Sequence, residues 1–188
     1  ISPDGQTMHL GDRYLKKTKT GWSKRQNLEP PVVSNDSMYI MRLSESANGT
    51  YYFDTYKEGD VTFPIRYSRL INGKYEEPKA LPKAINTGTF LSHPFIAPDE
   101  SYLLWDAKKE SGYGDSDIYI SFKQKDGTWG NGINLGDTIN TAAWEASASI
   151  TPDGKYLFFN RNVGSDTFEN VDIFWVDAKI IETLRPKQ

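Results

Sequence analysis

The chain has 188 residues, with five Trp, eleven Tyr, nine Phe, no Cys and a net charge of −3 in which both signs are interspersed. That length fits one domain or one array of small units, and aromatic rings bury enough area per residue to build a core from a modest apolar share of 37%. There is no basic stripe for nucleic acid, no apolar run long enough to cross a bilayer, and no thiol or disulfide chemistry.

The chain opens on a turn, ISPDG, with neither an initiator Met nor a signal peptide, and the expectation is that something precedes it. The tetrad SPDG (Ser2 to Gly5) returns as SANG (Ser46 to Gly49), APDE (Ala97 to Glu100) and TPDG (Thr151 to Gly154). Pro sets φ and Gly accepts positive φ, so each tetrad reads as a tight turn. Aromatic residues Trp22, Tyr75 and Trp129 follow one another at intervals of 53 and 54, as do Leu28, Leu81 and Leu135. Ile85-Asn86 returns as Ile139-Asn140, again after 54. Agreement among independent markers is the mark of a repeat architecture.

Each unit reads as a run of strands. Apolar stretches such as Leu103 to Trp105 and Leu157 to Phe159 do not alternate, which predicts strands buried on both faces. Ile65-Arg66-Tyr67, Ile118-Tyr119-Ile120 and Ile173-Phe174-Trp175 supply the next strand. Asn72-Gly73 and Asp126-Gly127 read as two-residue hairpin turns into the last strand, with positive φ at both positions. Only Asp177 to Leu184 reads as helix, a short cap. The prediction is an all-β fold: a β-propeller of four-stranded antiparallel blades of about 50 residues each. The blades run approximately 1–33, 34–87, 88–140 and 141–188, within a single domain or part of one spanning 1–188. The first unit lacks a first strand and the last lacks a fourth. The expectation is therefore a part of a larger ring, or a homo-oligomer that hides its open edges.

PDESYLLW, GYGDSDIYIS, DGTW with INLG, and TPDGKYLFFNRN resemble the PD40 (WD40-like) repeats of the propeller domains of the TolB-like family, and the closing VDIFWVDAKIIETLRPK is similar to the end of six-bladed bacterial members. The resemblance covers essentially the whole chain. It implies a six-bladed ring, a periplasmic or extracellular location, and a central channel that contacts proteins or small ligands. It implies no reaction.

Repeats also provide an internal comparison, because a residue that recurs at the blade interval is scaffold first. His93 lies on a first, innermost strand, and Arg42 and Ser147 stand at approximately matching positions. With Glu145, these residues would make a polar channel suited to an anionic or sugar-like ligand, although His93 could equally bond a neighbouring blade. Asp54, Asp106 and Asn160 close the second strands, where they either converge on a ligand or bond loop backbone. Arg161 does not recur and is the freer candidate. Asp115 and Asp117 in GYGDSD are weak candidates for Ca²⁺, because Asp117 recurs as Asp172 and a full calcium-loop ligand run is missing; no other cofactor is expected. His9 reads as structural.

The function expected is a non-catalytic module that binds a protein, peptide or glycan through the channel or a loop face. The alternatives are a polysaccharide hydrolase or lyase using Asp54, Asp106 and Glu145, which would need facing carboxylates, and a structural spacer of a longer envelope protein.

Overall fold

Each turn tetrad delivers the chain into a strand, and the strands that follow it pair in sequence order, the small β8–β9 hairpin apart. The structure is a computed structural model and describes residues 1–33, 39–59, 64–164 and 167–187. The expected start of the second unit, residue 34, lies outside the described residues.

The first sheet holds β1 (Thr7–Leu10) and β2 (Arg13–Thr18), with the short β3 (Gly21–Trp22) and β4 (Gln26–Asn27) both paired to β2. The second is built from β5 (Leu43–Glu45), β6 (Tyr51–Phe53) and β7 (Arg66–Ser68); the small hairpin β8 (Leu70–Ile71) and β9 (Lys74–Tyr75) then leads to β10 (Lys79–Ala80), which returns to β7. The third holds β11 (Thr89–Ile96), β12 (Tyr102–Lys108), β13 (Asp117–Phe122) and β14 (Ile133–Asn134). The fourth has three strands, β15 (Glu145–Ile150), β16 (Tyr156–Asn162) and β17 (Val171–Asp177), followed by α1 (Ile180–Leu184). The four antiparallel sheets are arranged as the blades of a propeller. Strand β11 packs against β5 on one side and β15 on the other, so these three strands stand along the axis.

Period-two alternation divides each strand between two seams. In β6, Tyr51 and Phe53 face the first blade with Leu28 and Leu43, whereas Tyr52 faces the third with Trp105 and Tyr119. In β12, Leu103 and Trp105 point back to the second blade, and Leu104 points forward to Leu157 and Phe159. A strand with a neighbour on both faces is buried throughout, as all six residues of β13 are, and its two polar members, Asp117 and Ser121, are satisfied by hydrogen bonds.

The fourth blade departs from the unalternated reading. Leu157, Phe159 and Phe174 pack toward the third blade, while Ile173 and Trp175 are 72% and 60% exposed. Among the described residues no further sheet lies against that outer face, so burial alternates there. One turn also differs from expectation. Asn72 and Gly73 have φ of 50° and 75°, as a two-residue hairpin requires. In Asp126-Gly127 only Gly127 has positive φ. Its N–H closes a turn on the Gln124 carbonyl, and the Asp126 carboxylate accepts the N–H of Thr128. The helix is shorter than Asp177 to Leu184, because the Asp177 carboxylate accepts the Lys179 N–H and makes a turn of its first residues. Ile181 then buries itself in the third seam.

Among the described residues no helix is long and apolar enough to cross a membrane.

Candidate functional site at the head of the inner strands

Two of the inner strands are broken by a bulge at equivalent places. The pairing register slips between Ser92 and Phe95 in β11, and between Ala146 and Ser149 in β15. His93 and Ser147, inside these bulges, have φ of 50° and 59°. A bulge re-aims backbone groups away from the ladder. Here it turns each N–H toward the preceding blade: the N–H of His93 donates to Asp54 Oδ2 at 2.7 Å, and the N–H of Ser147 donates to Asp106 Oδ1 at 3.0 Å. Asp54 also accepts the N–H of Arg42 at 2.7 Å. Both carboxylates are buried, and both join adjacent blades. Burial raises the pKa of Asp54, opposed by the two backbone N–H groups it accepts.

His93 is held a second time. Its Nδ1 lies 3.0 and 3.1 Å from the two carboxylate oxygens of Asp106. A carboxylate only accepts, so Nδ1 carries the proton and Nε2 is left without a protein partner among the described residues. Burial pushes the imidazole pKa down, but the charge and hydrogen bond of Asp106, with the charge of Asp54, outweigh it and hold the pKa above its ordinary value. The edge of the Trp144 ring stands against the imidazole, with centroids 6.5 Å apart.

Arg42 precedes β5 and reaches across the axis from the second blade to the fourth, where Nη2 makes a long bond of 3.4 Å to the Ala148 carbonyl. Burial lowers its pKa, with Asp106 and Asp54 opposing at longer range. No carboxylate lies within ion-pair distance of the guanidinium among the described residues.

The structure therefore brings together Arg42, Asp54, His93, Asp106 and Ser147. It sets Glu145 and Arg161 apart as a pair in the third seam. Glu145 is fully buried; it accepts the N–H and hydroxyl of Thr141 and lies 2.7 Å from Arg161 Nε. Arg161 also donates to the Ile139 carbonyl at 2.8 Å and lies 4.6 Å from the Phe174 ring centre. Asp117 is buried and accepts the N–H groups of Tyr113 and Gly114 and the amide of Asn134, so it serves the loop. Asp115 is exposed and pairs with Lys108. Among the described residues no three His, Asp or Glu side chains gather as a metal site. His9 pairs with Glu45 at 2.8 Å and meets the Tyr51 ring edge-on, within the first seam.

The sequence reading missed the aromatic mouth above this floor. Tyr39, Phe90 and Trp144 stand at the heads of the three inner strands, at intervals of 51 and 54. Tyr56, Tyr113 and Phe168 stand in the loops that leave the second strands, at intervals of 57 and 55. Antiparallel pairing puts the head of an inner strand beside the end of its partner, so both sets lie at one end of the axis. Tyr39 and Tyr56 pair backbone to backbone, and Trp144 meets Phe168 edge-on at 5.3 Å. All but Trp144 are about half exposed. Phe90 and Phe168 also hold φ of 52° and 55°, which non-glycine residues rarely adopt. Their recurrence was present in the sequence, but at looser spacing than the turn tetrads. At the opposite end of the axis, three of the turn tetrads, the first, third and fourth, border a cavity of about 470 Å³ lined also by Phe95, Ile150, Tyr102 and Glu45.

The fold is similar to that of TolB from Acinetobacter baumannii, with a TM-score of 0.58, 15% sequence identity, and coverage of 95% of this chain and 40% of that one. A candidate 6-phosphogluconolactonase from Bacteroides uniformis is also similar, with a TM-score of 0.42, 17% identity, and coverage of 94% of this chain and 53% of that one. The chain thus spans less than two thirds of the length of either solved protein. No protein-family model matches the chain, and no curated protein sequence matches it. The first likeness shows a TolB-like propeller fold.

Proposed function

We propose that this propeller is a non-catalytic recognition module, binding a protein, peptide or glycan at the aromatic-rimmed end of its axis, in the periplasm or outside the cell. The observation that carries the reading is the ring of exposed aromatic side chains set over Arg42 and His93. Exposed aromatics around a floor with free donors are a costly surface to maintain for packing alone. The carboxylates weigh against the hydrolase or lyase alternative. Asp54, Asp106 and Glu145 are all buried and committed to backbone groups or to His93, Thr141 and Arg161, which leaves none of them facing a substrate. A spacer role would not call for the rim.

The test is ligand-induced change in Trp144 fluorescence, read against a Trp144→Phe control, with candidate peptides and oligosaccharides. A bound ligand raises the melting temperature, and His93→Ala or Arg42→Ala removes that rise. A ligand whose effect survives both substitutions binds elsewhere and overturns the proposed site.

A further inference from the structure

The second and third blades are finished by the same device. The N–H of Leu81 donates to the Ile65 carbonyl at 2.9 Å, and that of Leu135 to the Ile118 carbonyl at 3.1 Å. Five residues on, an Asn side chain takes both backbone groups of the same Ile. Asn86 Oδ1 accepts the N–H of Ile65 at 2.8 Å while its Nδ2 donates to the Ile65 carbonyl at 3.1 Å, and Asn140 does the same to Ile118 at 2.8 and 3.0 Å. The residue before each Asn, Ile85 or Ile139, is fully buried in the seam that holds Ile65 or Ile118. In the fourth blade β17 corresponds to β13. Ile173 stands where Ile118 does, and the Ala178 N–H donates to the Lys155 carbonyl as the Lys123 N–H donates to that of Ser101. The N–H and C=O of Ile173 and Trp175 therefore point away from β16, as those of Ile118 and Ile120 point away from β12.

Among the described residues no strand lies on that side of β17. The edge is seven residues long and keeps an unbroken register with β16, and it contains neither Pro nor Lys. Bulges, Pro and Lys are the ordinary means of blocking an exposed edge, and an edge without them is a template for another strand. We propose that the outer edge of β17 is a strand-addition site for an extended segment of a separate polypeptide with the pattern Leu-x-x-x-Ile-Asn. The molecule itself selects this chemistry, because Leu81 to Asn86 and Leu135 to Asn140 occupy the two corresponding edges. On β17 the Leu N–H meets the Ile173 carbonyl, the Asn side chain takes both backbone groups of Ile173, and the Ile covers the exposed Ile173 side chain. The sequence contains the pattern only in these two segments, and both are committed to their own blades. A second copy's β17 carries no Asn, so pairing of edge with edge leaves the clasp unmade. Val176 stands where the hydroxyls of Ser68 and Ser121 donate to the Glu76 and Gly130 carbonyls of their closing segments, so an added strand lacks that bond and is held less firmly than a built-in one.

The test uses the whole chain with two fluorescent synthetic peptides, residues 125–140 of this sequence and the same peptide with Asn140→Ala. Anisotropy measures affinity, and amide exchange followed by NMR locates the site. The unaltered peptide is expected to bind about tenfold more tightly than its variant, since the variant loses hydrogen bonds to two backbone groups. Its binding slows exchange at the amides of Ile173 and Trp175. Ile173→Pro in the protein removes an outward N–H at a place where an edge strand accepts Pro, and abolishes the difference between the peptides. Should that variant fail to fold, the two peptides against the wild-type protein carry the same comparison. Equal affinities, no binding, or binding without slowed exchange at Ile173 and Trp175 overturns the inference. Slow exchange at those amides in the protein alone also overturns it, and a dependence on protein concentration would then name a second copy as the occupant.

Discussion

The Asp54 carboxylate and the backbone N–H of His93 lie 2.7 Å apart, and this one bond ties the second blade to the third at the axis. The other oxygen of Asp54 accepts the N–H of Arg42, so its removal orphans two buried donors. Hydrogen bonds to a charged group contribute about 1.5–3 kcal/mol each, and buried donors left unpaired are costly. Asp54→Ala should lower unfolding stability by about 3 kcal/mol in urea titration. Asp54→Asn, which keeps one acceptor, should lose about half as much. Equal midpoints for the three proteins would mean that the bond does not hold the blades together.

His93 gives stability a pH dependence of predictable sign. Its folded pKa is raised above the ordinary value of 6.5, so the stabilisation is fully present below that value and is lost as pH rises through the folded pKa. Wild-type protein should therefore lose stability on going from mildly acidic to mildly alkaline buffer. His93→Gln should show a flatter profile over the same window. An imidazole titration followed by NMR at or below the ordinary value would contradict the His93–Asp106 pairing.

Glu100 occupies the turn position that holds Gly5, Gly49 and Gly154 in the other three tetrads, and it has φ of 59°. Its carboxylate accepts the Ser46 hydroxyl and the Asn48 amide from the second blade and pairs with Lys123 at 2.6 Å. Left-handed backbone costs a side chain about 1–2 kcal/mol, so the bonds must outweigh the strain for Glu to be tolerated. Glu100→Gly relieves the backbone but loses the bonds, for a net loss of about 1 kcal/mol. Glu100→Ala keeps the strain and loses the bonds, and should be the least stable of the three. Melting temperatures ranked with the glycine variant above wild type would show that strain dominates.

Gly132 lies against the Trp105 ring, and a Cβ added there would lie 2.8 Å from two of its ring carbons. Trp105 is fully buried among the residues of the second seam and has no room to withdraw. Overpacking of this kind costs about 1–3 kcal/mol. Gly132→Ala should lose that much, and the double variant with Trp105→Phe should recover part of it. Additive losses in the double variant would place the strain elsewhere.

The turn tetrads and the strands between them were legible because both follow from local chemistry: Pro sets φ, Gly accepts positive φ, and a strand with neighbours on both faces is mostly apolar without alternation. The same reasoning overreached at Leu157 to Phe159, whose run looks like the others although Phe158 shares the outer face with Ile173 and Trp175. Nothing local to that strand says whether a further sheet covers it. Asp54 and Asp106 were visible as recurring polar residues with two possible roles, and the choice between them depended on where the next blade placed its N–H.

By itself, the order of residues determined the repeat, the all-β character and the sites of the turns, since these depend on neighbours a few positions away; it did not show that the Asn72-Gly73 hairpin stands apart as β8 and β9, with β10 closing the second blade. Tertiary structure alone decided that Arg42 reaches Ala148, that His93 is bracketed by Asp54 and Asp106, and that Arg161 turns to Glu145 in a seam. The Arg42–Ala148 and His93–Asp54 contacts join different blades, and their geometry is set by how sheets stack about an axis, whereas the His93–Asp106 and Arg161–Glu145 pairs join neighbouring strands of one blade and depend on register and on which face is buried.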